Sequence, residues 1–319
     1  MLYYSISLPV KKEENVNFRL LFSKCGLIYR PVTARMRNES RGFSPMSVKL
    51  AAVDLDGTLL NSKNEVTPAV AAAVREAIAA GIEVVVATGR APAECRSVLE
   101  ALPELRYLIC YTGAVVYDRK EDRQLYECLL TAEEGRFFYR LLRDFDCLIS
   151  LFTGGKVYNA LDRMQNFEHF CSPNYRPLYE QTHTILPDLD GFVEKLEAPV
   201  EKLYIPFSTP EECAKAYAQV KDLPYFITTA GFVDFEIMNR RTNKGIALDA
   251  LMEHLGLRRE EVLAVGDSLN DRDLLDHAGL AAVMANGSEE LKQQADLLLP
   301  SNDEDGVAWL LHRLAEGVF

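Results

Sequence analysis

Two aspartates, Asp54 and Asp56, directly follow a short apolar run over residues 50–53, and Gly57 comes next. A continuous apolar run of this length indicates a strand buried on both faces, and the glycine indicates a turn directly after it. Ligands of open parallel sheets bind outside the carboxyl ends of the strands, which is where this pair would lie. Two carboxylates this close resist joint ionisation, so the pair predicts either a bound cation or one shared proton.

Three further segments carry side chains that suit a phosphate or a metal ion. Thr88 and Gly89 follow a second apolar run, and they offer a hydroxyl and an unobstructed backbone N–H to an anion. Lys244 opens a predicted helix, and a lysine at a helix N-terminus favours a phosphate site. The segment 266–271 places carboxylate and amide oxygens after another apolar run, an arrangement that suits a hard cation such as Mg²⁺.

The elements that must position these segments alternate between strands and helices. Thr67 and Pro68 predict a helix start, with the threonine as N-cap, and Gly81 predicts its end. The order strand, helix, strand over residues 50–110 indicates a parallel sheet built by right-handed crossovers. The same order returns late in the chain, so we predict an α/β fold with a Rossmann-like parallel-sheet core.

The middle of the chain departs from this order. Residues 129–232 combine longer helices with alternating strands and loops rich in Pro, Asn and Tyr, which predicts an inserted α+β domain. The core is then predicted to comprise residues 46–128 plus 233–319. Residues 1–45 show no helical or strand period and hold eight Lys/Arg against three Glu, so we predict an N-terminal extension outside the core.

Length and composition favour a two-domain globular protein over other classes. The 319 residues exceed one usual core, and 48% hydrophobic with 26% charged residues is typical of globular chains. The formal net charge of −12 repels nucleic acid, so no nucleic-acid partner is expected. It also repels phosphorylated substrates, so a phosphate site must carry local positive charge or a metal.

The seven cysteines are odd in number and lack CxxC spacing. A disulfide framework or a zinc site is therefore not expected, and a reducing cytoplasm fits best. No apolar run approaches the roughly 20 residues of a membrane span, and the start does not resemble a signal peptide. We expect a cytoplasmic protein with no membrane partner.

Taken together, the four polar segments resemble the motifs of the haloacid dehalogenase superfamily, more narrowly its Cof-type (class IIB capped) phosphatases. Residues 54–58, 87–90, Lys244 and 266–271 match the four motifs in order, and the resemblance covers about residues 46–311. Asn286 belongs to a late stretch that resembles the subfamily's ending. The resemblance implies a Rossmann-like core with an inserted α+β cap that determines substrate specificity.

Two positions depart from the family's pattern. Thr112 stands where the family often has Asn, which puts a substrate-facing contact in doubt. Gly287 stands where Ala is usual. Neither position belongs to the catalytic set that the motifs imply.

The resemblance implies that Asp54 attacks phosphorus and forms an aspartyl-phosphate. Asp56 protonates the leaving alkoxide and then activates the hydrolytic water. The implied cofactor is Mg²⁺, held by the Asp54 carboxylate, the Asp56 backbone carbonyl and Asp267, where it offsets the repulsion between nucleophile and substrate.

The remaining site residues are implied to support this chemistry. Thr88, Gly89 and Lys244 bind phosphoryl oxygens, whose charge shifts in the transition state. Asn270 and Asp271 orient Lys244 and the metal shell.

These roles favour a phosphatase that acts on small phosphomonoesters such as sugar phosphates, nucleotides or cofactor phosphates. A phosphomutase or phosphotransferase of the same superfamily is a second hypothesis, since it would shield the same phosphorylated aspartate from water. A non-catalytic phosphoryl-binding regulator is a third, against which the intact set of Asp54, Asp56, Lys244 and Asp267 argues. The sequence specifies neither the substrate nor the oligomeric state.

Overall fold

A computed structural model of the chain describes residues 48–228 and 233–318, so the predicted extension 1–45 lies outside the described residues. The described strands are β1 Leu50–Val53, β2 Glu83–Ala87, β3 Tyr107–Cys110, β4 Val115–Asp118, β5 Arg123–Glu127, β6 Ser150–Thr153, β7 Lys156–Ala160, β8 His183–Leu186, β9 Val200–Pro206, β10 Phe226–Thr228, β11 Asp234–Met238, β12 Val262–Gly266, β13 Leu280–Met284 and β14 Leu297–Leu299. The described helices are α1 Pro68–Ala79, α2 Arg96–Ala101, α3 Ala132–Leu142, α4 Leu161–Gln165, α5 Arg176–Thr182, α6 Leu189–Glu194, α7 Pro210–Val220, α8 Lys244–Leu255, α9 Arg272–His277, α10 Glu289–Lys292 and α11 Gly306–Ala315. Among the helices so described, none has the length and apolar character needed to cross a membrane.

The first sheet has eight strands in the order β14-β13-β12-β1-β2-β3-β4-β5. The strands from β14 to β3 run parallel, and β4 and β5 add an antiparallel edge. Side chains of β1 alternate between two hydrophobic clusters. Ala51 and Val53 pack on the side of α1 and α11, whereas Leu50 and Ala52 pack on the side of α8 and α9. Burial on both faces explains the continuous apolar runs, and the predicted α/β Rossmann-like core is confirmed.

The register of β1 brings the polar segments to one edge of this sheet. Val53 at the end of β1 pairs with Val86 of β2 and with Val265 of β12. All three strands run in the same direction, so their carboxyl ends lie side by side. The residues that follow these ends are therefore neighbours in space, although up to about 210 positions separate them in the sequence.

Two helices of the core begin with side-chain caps. Thr67 Oγ1 accepts a hydrogen bond from the Val70 N–H at 3.1 Å, as predicted for the start of α1. Asn243 Oδ1 accepts from the Ile246 N–H at 2.7 Å at the start of α8. Each cap satisfies a backbone donor that the helix itself leaves unpaired. The Asn243 cap fixes Lys244 as the first residue of α8.

The second sheet has six strands in the order β10-β11-β9-β6-β7-β8. β7 and β8 run parallel, and the other neighbours are antiparallel. One face packs against α3, α6 and α7 through a hydrophobic cluster that includes Phe138, Val193 and Ala216. The opposite face is turned towards the carboxyl edge of the first sheet, as the hydrogen bonds below show. This mixed sheet with helices matches the predicted α+β insertion.

The return from the second sheet to the first differs from the predicted position at 232–233. β11 pairs with β9 from Asp234 to Ile237, so it belongs to the second sheet. The residue pattern of this short strand fits either sheet. Only its pairing with β9, about 30 residues earlier in the chain, assigns it to the second sheet. We propose that the inserted segment ends at Met238. The two chain segments that connect the sheets then lie side by side, because the Asn239 side chain donates to the Leu129 carbonyl at 2.9 Å.

The loop after β3 generates a prediction, because it packs against the start of α8. Gly113 has φ +98°, and a Cβ there would lie 2.2 Å from the Asn243 carbonyl oxygen. We expect Gly113→Ala to lower the free energy of unfolding by the cost of a positive φ, about 1–2 kcal/mol, plus about 1–3 kcal/mol for overpacking. Gly81 is the matched control, since it has φ +89° and a Cβ there would meet no atom of the described residues within 4 Å. Equal losses for Gly113→Ala and Gly81→Ala in urea unfolding would contradict this packing.

Candidate active site

The predicted nucleophile lies at the carboxyl edge of the first sheet. Asp54 follows β1, and its backbone N–H donates to the Val265 carbonyl at 2.9 Å, which ties the start of the turn to β12. Its side chain is almost fully buried. Asp267 follows β12, and a Cβ on Gly57 would lie 2.6 Å from its Oδ2 atom. The turn after β1 therefore lies directly against the turn after β12.

Lys244 connects the two turns. Its Nζ atom lies 2.6 Å from Asp54 Oδ1 and 2.7 Å from Asp271 Oδ1, and the side chain is fully buried. Burial alone would lower the pKa of this lysine, but the charges of Asp271 and Asp54 outweigh burial and raise the pKa. Lys244 is therefore cationic at any physiological pH. It holds one oxygen of Asp54 in a fixed position.

Three carboxylates share this buried space. Asp54, Asp267 and Asp271 each offer an oxygen within 4.8 Å of the others. Burial and repulsion from Asp271 raise the pKa of Asp54, and the same causes raise the pKa of Asp267 to about 6. One lysine cannot neutralise three carboxylates, so the cluster favours a further cation. Hard oxygen ligands of this kind suit a divalent ion such as Mg²⁺, and the donor set fits a metal site.

Asp271 holds the turn around this cluster together. Its Oδ2 atom accepts from the backbone N–H groups of Asp267 at 3.0 Å and Ser268 at 3.1 Å, while Oδ1 accepts from Lys244. The structure thus brings Asp271 onto Lys244, as its predicted role requires. Asn270 Oδ1 accepts from Ser268 Oγ at 2.6 Å within the same turn, and its supporting role stays a prediction.

Asp56 lies outside the carboxylate cluster and pairs with an arginine. Arg90 Nε donates to Asp56 Oδ2 at 2.9 Å, and Arg90 Nη2 donates to Asp56 Oδ1. Burial alone would lower the pKa of Arg90, but Asp56 outweighs burial and raises the pKa. The sequence placed Arg90 next to Thr88 and Gly89 but assigned it no role. The two hydrogen bonds from the Arg90 guanidinium give the Asp56 carboxylate a defined orientation.

The predicted phosphate-binding residues lie on the neighbouring strand end. Thr88 is fully buried after β2, and its Oγ1 atom accepts from the Arg90 N–H at 3.1 Å. Gly89 lies beside it and has no side chain that could cover its own backbone N–H. Thr88, Gly89 and Arg90 therefore form one loop that joins the predicted phosphate site to Asp56.

A late asparagine supports the first turn from outside. Asn286 Nδ2 donates to the Gly57 carbonyl at 2.7 Å, and Asn286 Oδ1 accepts from the Asn302 N–H at 3.0 Å. The stretch that resembled the subfamily's ending therefore holds the turn that carries Asp54 and Asp56.

Three residues lie close to Gly89, and we call them the roof cluster: Thr112, Lys202 and Glu236. Sequence reasoning singled out Thr112 but missed Lys202 and Glu236. Thr112 Oγ1 donates to Glu236 Oε2 at 2.6 Å, and Lys202 Nζ donates to Glu236 Oε1 at 2.5 Å. All three are buried. Lys202 comes from β9 and Glu236 from β11, so the second sheet reaches the loop that carries Gly89. Charged residues within otherwise apolar strands were the signal that could have identified them.

Comparisons with known proteins agree with this geometry. A family model described as haloacid dehalogenase-like hydrolase matches residues 51–311. Phosphatase YwpJ of Bacillus subtilis is 32% identical over 296 residues, covering 84% of this chain and 100% of that protein. The 5-amino-6-(5-phospho-D-ribitylamino)uracil phosphatase YcsE of the same organism is 30% identical over 263 residues, covering 82% and 94%.

A solved structure supports the fold and the family together. The haloacid dehalogenase-like hydrolase from B. subtilis superposes with a TM-score of 0.76 at 29% identity, covering 84% of this chain and all of that chain. The segment that the family model matches includes every predicted site residue and both sheets except Leu50. The chain belongs to the haloacid dehalogenase-like hydrolases, in their Cof-type class IIB branch, and it is a phosphatase of that family acting on small phosphate esters.

Proposed function

We propose that this protein is a magnesium-dependent phosphatase that hydrolyses small phosphomonoesters through a phosphorylated Asp54. The observation that carries the proposal is the buried Lys244 cation between Asp54 and Asp271, at the edge of the sheet where a ligand would enter. A buried lysine bound to a carboxylate nucleophile suits phosphoryl transfer, since it orients the nucleophile and offsets phosphoryl charge.

The first half of the reaction would proceed on the side chains of Asp54 and Asp56. Lys244 holds Asp54 Oδ1, and a carboxylate oxygen of Asp54 attacks phosphorus as the ester bond to the leaving oxygen breaks. Asp56 donates a proton to that oxygen. Arg90 donates hydrogen bonds to both carboxylate oxygens of Asp56. The arriving ester must therefore displace one of these hydrogen bonds before Asp56 can carry a proton.

The second half returns the enzyme to its starting state. Asp56, now without its proton, accepts one from water, and the water oxygen attacks phosphorus and releases Asp54. Thr88, Gly89 and Lys244 bind the three phosphoryl oxygens in this proposal.

The metal proposal rests on the carboxylate cluster. Asp54 and Asp267 would hold Mg²⁺ through side-chain oxygens and Asp56 through its backbone carbonyl, with Asp271 behind Asp267. When bound, the ion supplies positive charge that brings an anionic nucleophile and an anionic ester together.

Phosphate release distinguishes the phosphatase from the two other functions considered from the sequence. A phosphomutase or phosphotransferase would use the same residues but release little phosphate without an acceptor. A non-catalytic phosphoryl-binding regulator would release none. The division into a core and a cap, the cytoplasmic location and the absence of a nucleic-acid or membrane partner stay predictions from the sequence.

The roles of the two aspartates predict different responses to the leaving group. Asp54→Asn should abolish phosphate release from every ester. Asp56→Asn should slow an alkyl phosphate by about 10²–10⁴-fold, but aspartyl-phosphate formation from p-nitrophenyl phosphate much less, because nitrophenolate leaves without a proton. Rapid-quench and steady-state phosphate assays measure both effects.

Asp276→Asn removes an exposed carboxylate outside the cluster and serves as the control. Substantial phosphate release by Asp54→Asn would rule out the mechanism, and release that requires an acceptor would favour the mutase.

The carboxylate cluster predicts metal-dependent stability. Mg²⁺ at about 100 times its Kd should stabilise the protein by about 2.7 kcal/mol, measured as a rise in Tm. Asp267→Asn should lose this rise, and it should be at least as stable as wild type without metal, because it removes repulsion from Asp271. Asp276→Asn should keep the full rise. The same Mg²⁺-dependent rise in Asp267→Asn would contradict the site.

The roof cluster predicts discrimination by size. The second sheet reaches Gly89 through Lys202 and Glu236, and in this proposal it keeps a folded protein surface away from the site. We expect a panel of phosphorylated metabolites, including the phosphoribityl compound in the name of relative YcsE, to contain far better substrates than any folded phosphoprotein. Comparing kcat/KM for the best metabolite and for an intact phosphoprotein tests this. Equal values would show that the site is open.

A further inference from the structure

A histidine and a glutamate form a buried pair between the two sheets, at a distance from the carboxylate cluster. His183 begins β8 of the second sheet, and Glu94 lies in the turn between β2 and α2. His183 Nε2 lies 2.9 Å from Glu94 Oε1, and the two side chains are 1% and 7% exposed. The pair is one of the described polar contacts that join the inserted segment to the core, and the proposed reaction does not use it.

The neighbours of His183 determine which of its ring nitrogens carry protons. Asn159 Nδ2 donates to the Ile149 carbonyl at 3.0 Å and to Ser150 Oγ at 2.8 Å, which fixes the orientation of the Asn159 amide. Asn159 Oδ1 is therefore an acceptor, and it lies 2.6 Å from His183 Nδ1. Nδ1 must carry a proton to make this bond.

The second ring nitrogen faces a carboxylate that is itself held in the ionised state. Glu94 Oε2 accepts from the Ala91 N–H at 2.6 Å. Burial alone would raise the pKa of Glu94, but His183, the Ala91 N–H and Lys202 outweigh burial and lower the pKa. The Ala91 N–H and Lys202 favour the ionised form of Glu94 independently of His183, so Glu94 Oε1 is an acceptor and His183 Nε2 carries a proton. With protons on both nitrogens, the ring is an imidazolium.

The other titratable groups around the pair do not replace this proton. Burial is the main cause that raises the pKa of the Tyr179 and Tyr111 hydroxyls. A hydrogen bond with Cys95, together with burial, raises the pKa of the Cys110 thiol. These three groups are therefore neutral between pH 5 and 8. The titratable groups that face the pair are Tyr179 from α5, Tyr111 and Cys110 at the end of β3, Cys95 and Arg90 from the turn before α2, and Lys202 from β9.

The pair is connected to the proposed general acid. Arg90 Nη1 donates to the Glu94 carbonyl at 3.4 Å, and the same guanidinium grips Asp56. Glu94 therefore braces the loop that carries Thr88, Gly89 and Arg90. His183 fixes Glu94 from the side of the second sheet.

We propose that His183 is a positioning residue, which acts as an imidazolium to hold the inserted segment against the loop that carries Arg90 and thereby orients Asp56. This inference rests on the proposed function, since Asp56 is the group being oriented. The proton is part of the contact, because neutral His183 would leave Glu94 Oε1 or Asn159 Oδ1 without a donor.

The proton gives the contact a pH dependence of known sign. When the inserted segment contacts the loop, the His183 ring carries a proton on each nitrogen. An imidazole that is separated from the loop and exposed to water gives up one of these protons above about pH 6.5. Because the contact needs this proton, a pH high enough to remove it would separate the inserted segment from the loop. Above that point a single proton linkage lowers kcat/KM by roughly tenfold per pH unit.

Nitrogen NMR of the five histidines tests the protonation directly, without any assay of activity. We expect both ring nitrogens of His183, assigned by the loss of their signals in His183→Phe, to be protonated at pH 7.5. A neutral tautomer at that pH would overturn the proposal. Because this measurement needs no turnover, failure of the proposed phosphatase function and failure of this inference are distinguishable.

A pH profile of kcat/KM tests the positioning role. Glu94→Gln can satisfy the same neighbours without the extra proton, since its amide oxygen accepts from Ala91 and its NH₂ donates to neutral His183. We expect it to lose the alkaline decline that His183 causes in the wild type, and His183→Phe to reduce kcat/KM by at least tenfold at pH 6.

The matched control is Asp146→Asn, which removes the carboxylate 2.8 Å from the exposed His169. Its pH profile should equal that of the wild type. Identical profiles for Glu94→Gln and the wild type would overturn the proposal. If Glu94→Gln does not fold, the protonation state of His183 in the wild type decides alone.

Discussion

The structure depends on one buried ammonium group. Lys244 has no exposed surface and lies between Asp54 and Asp271. A buried charge is tolerated only with well-placed partners, and removing one partner typically costs about 3–5 kcal/mol. The strand ends, the capped start of α8 and the turn held by Asp271 all serve to place these three groups together. With Asp267 alongside, the cluster still has an excess of negative charge, and this excess supports the proposed metal site.

The second sheet adds the groups that close this centre. Lys202 and Glu236 reach Gly89 from above, and His183 reaches the same loop through Glu94. Buried ion pairs contribute little net stability compared with apolar packing. These pairs lie on the one face of the second sheet that meets the loop carrying Thr88 and Gly89, which is better explained by a role in binding and positioning than by stability.

Much of the core and its site could be predicted from the sequence because strand ends are local signals. Asp54, Thr88 and Asp267 each follow an apolar run, and a parallel sheet brings such ends to one edge. The side-chain partners could not be predicted this way. Asp56 binds Arg90 and Glu236 binds Thr112 across 34 and 124 residues, and these pairings are set by the packing of the two sheets. The same limit explains the boundary, since β11 is placed in the second sheet only by its pairing with β9.

The central claim is that Asp54 carries the phosphoryl group. An acyl phosphate is reduced by borohydride, which converts the phosphorylated aspartate into homoserine. Asp56→Asn, quenched with borohydride during turnover of p-nitrophenyl phosphate, should yield homoserine at position 54 in a peptide mass spectrum. Homoserine at another aspartate, or phosphate release from this variant with unmodified Asp54 at every quench time, would contradict the account.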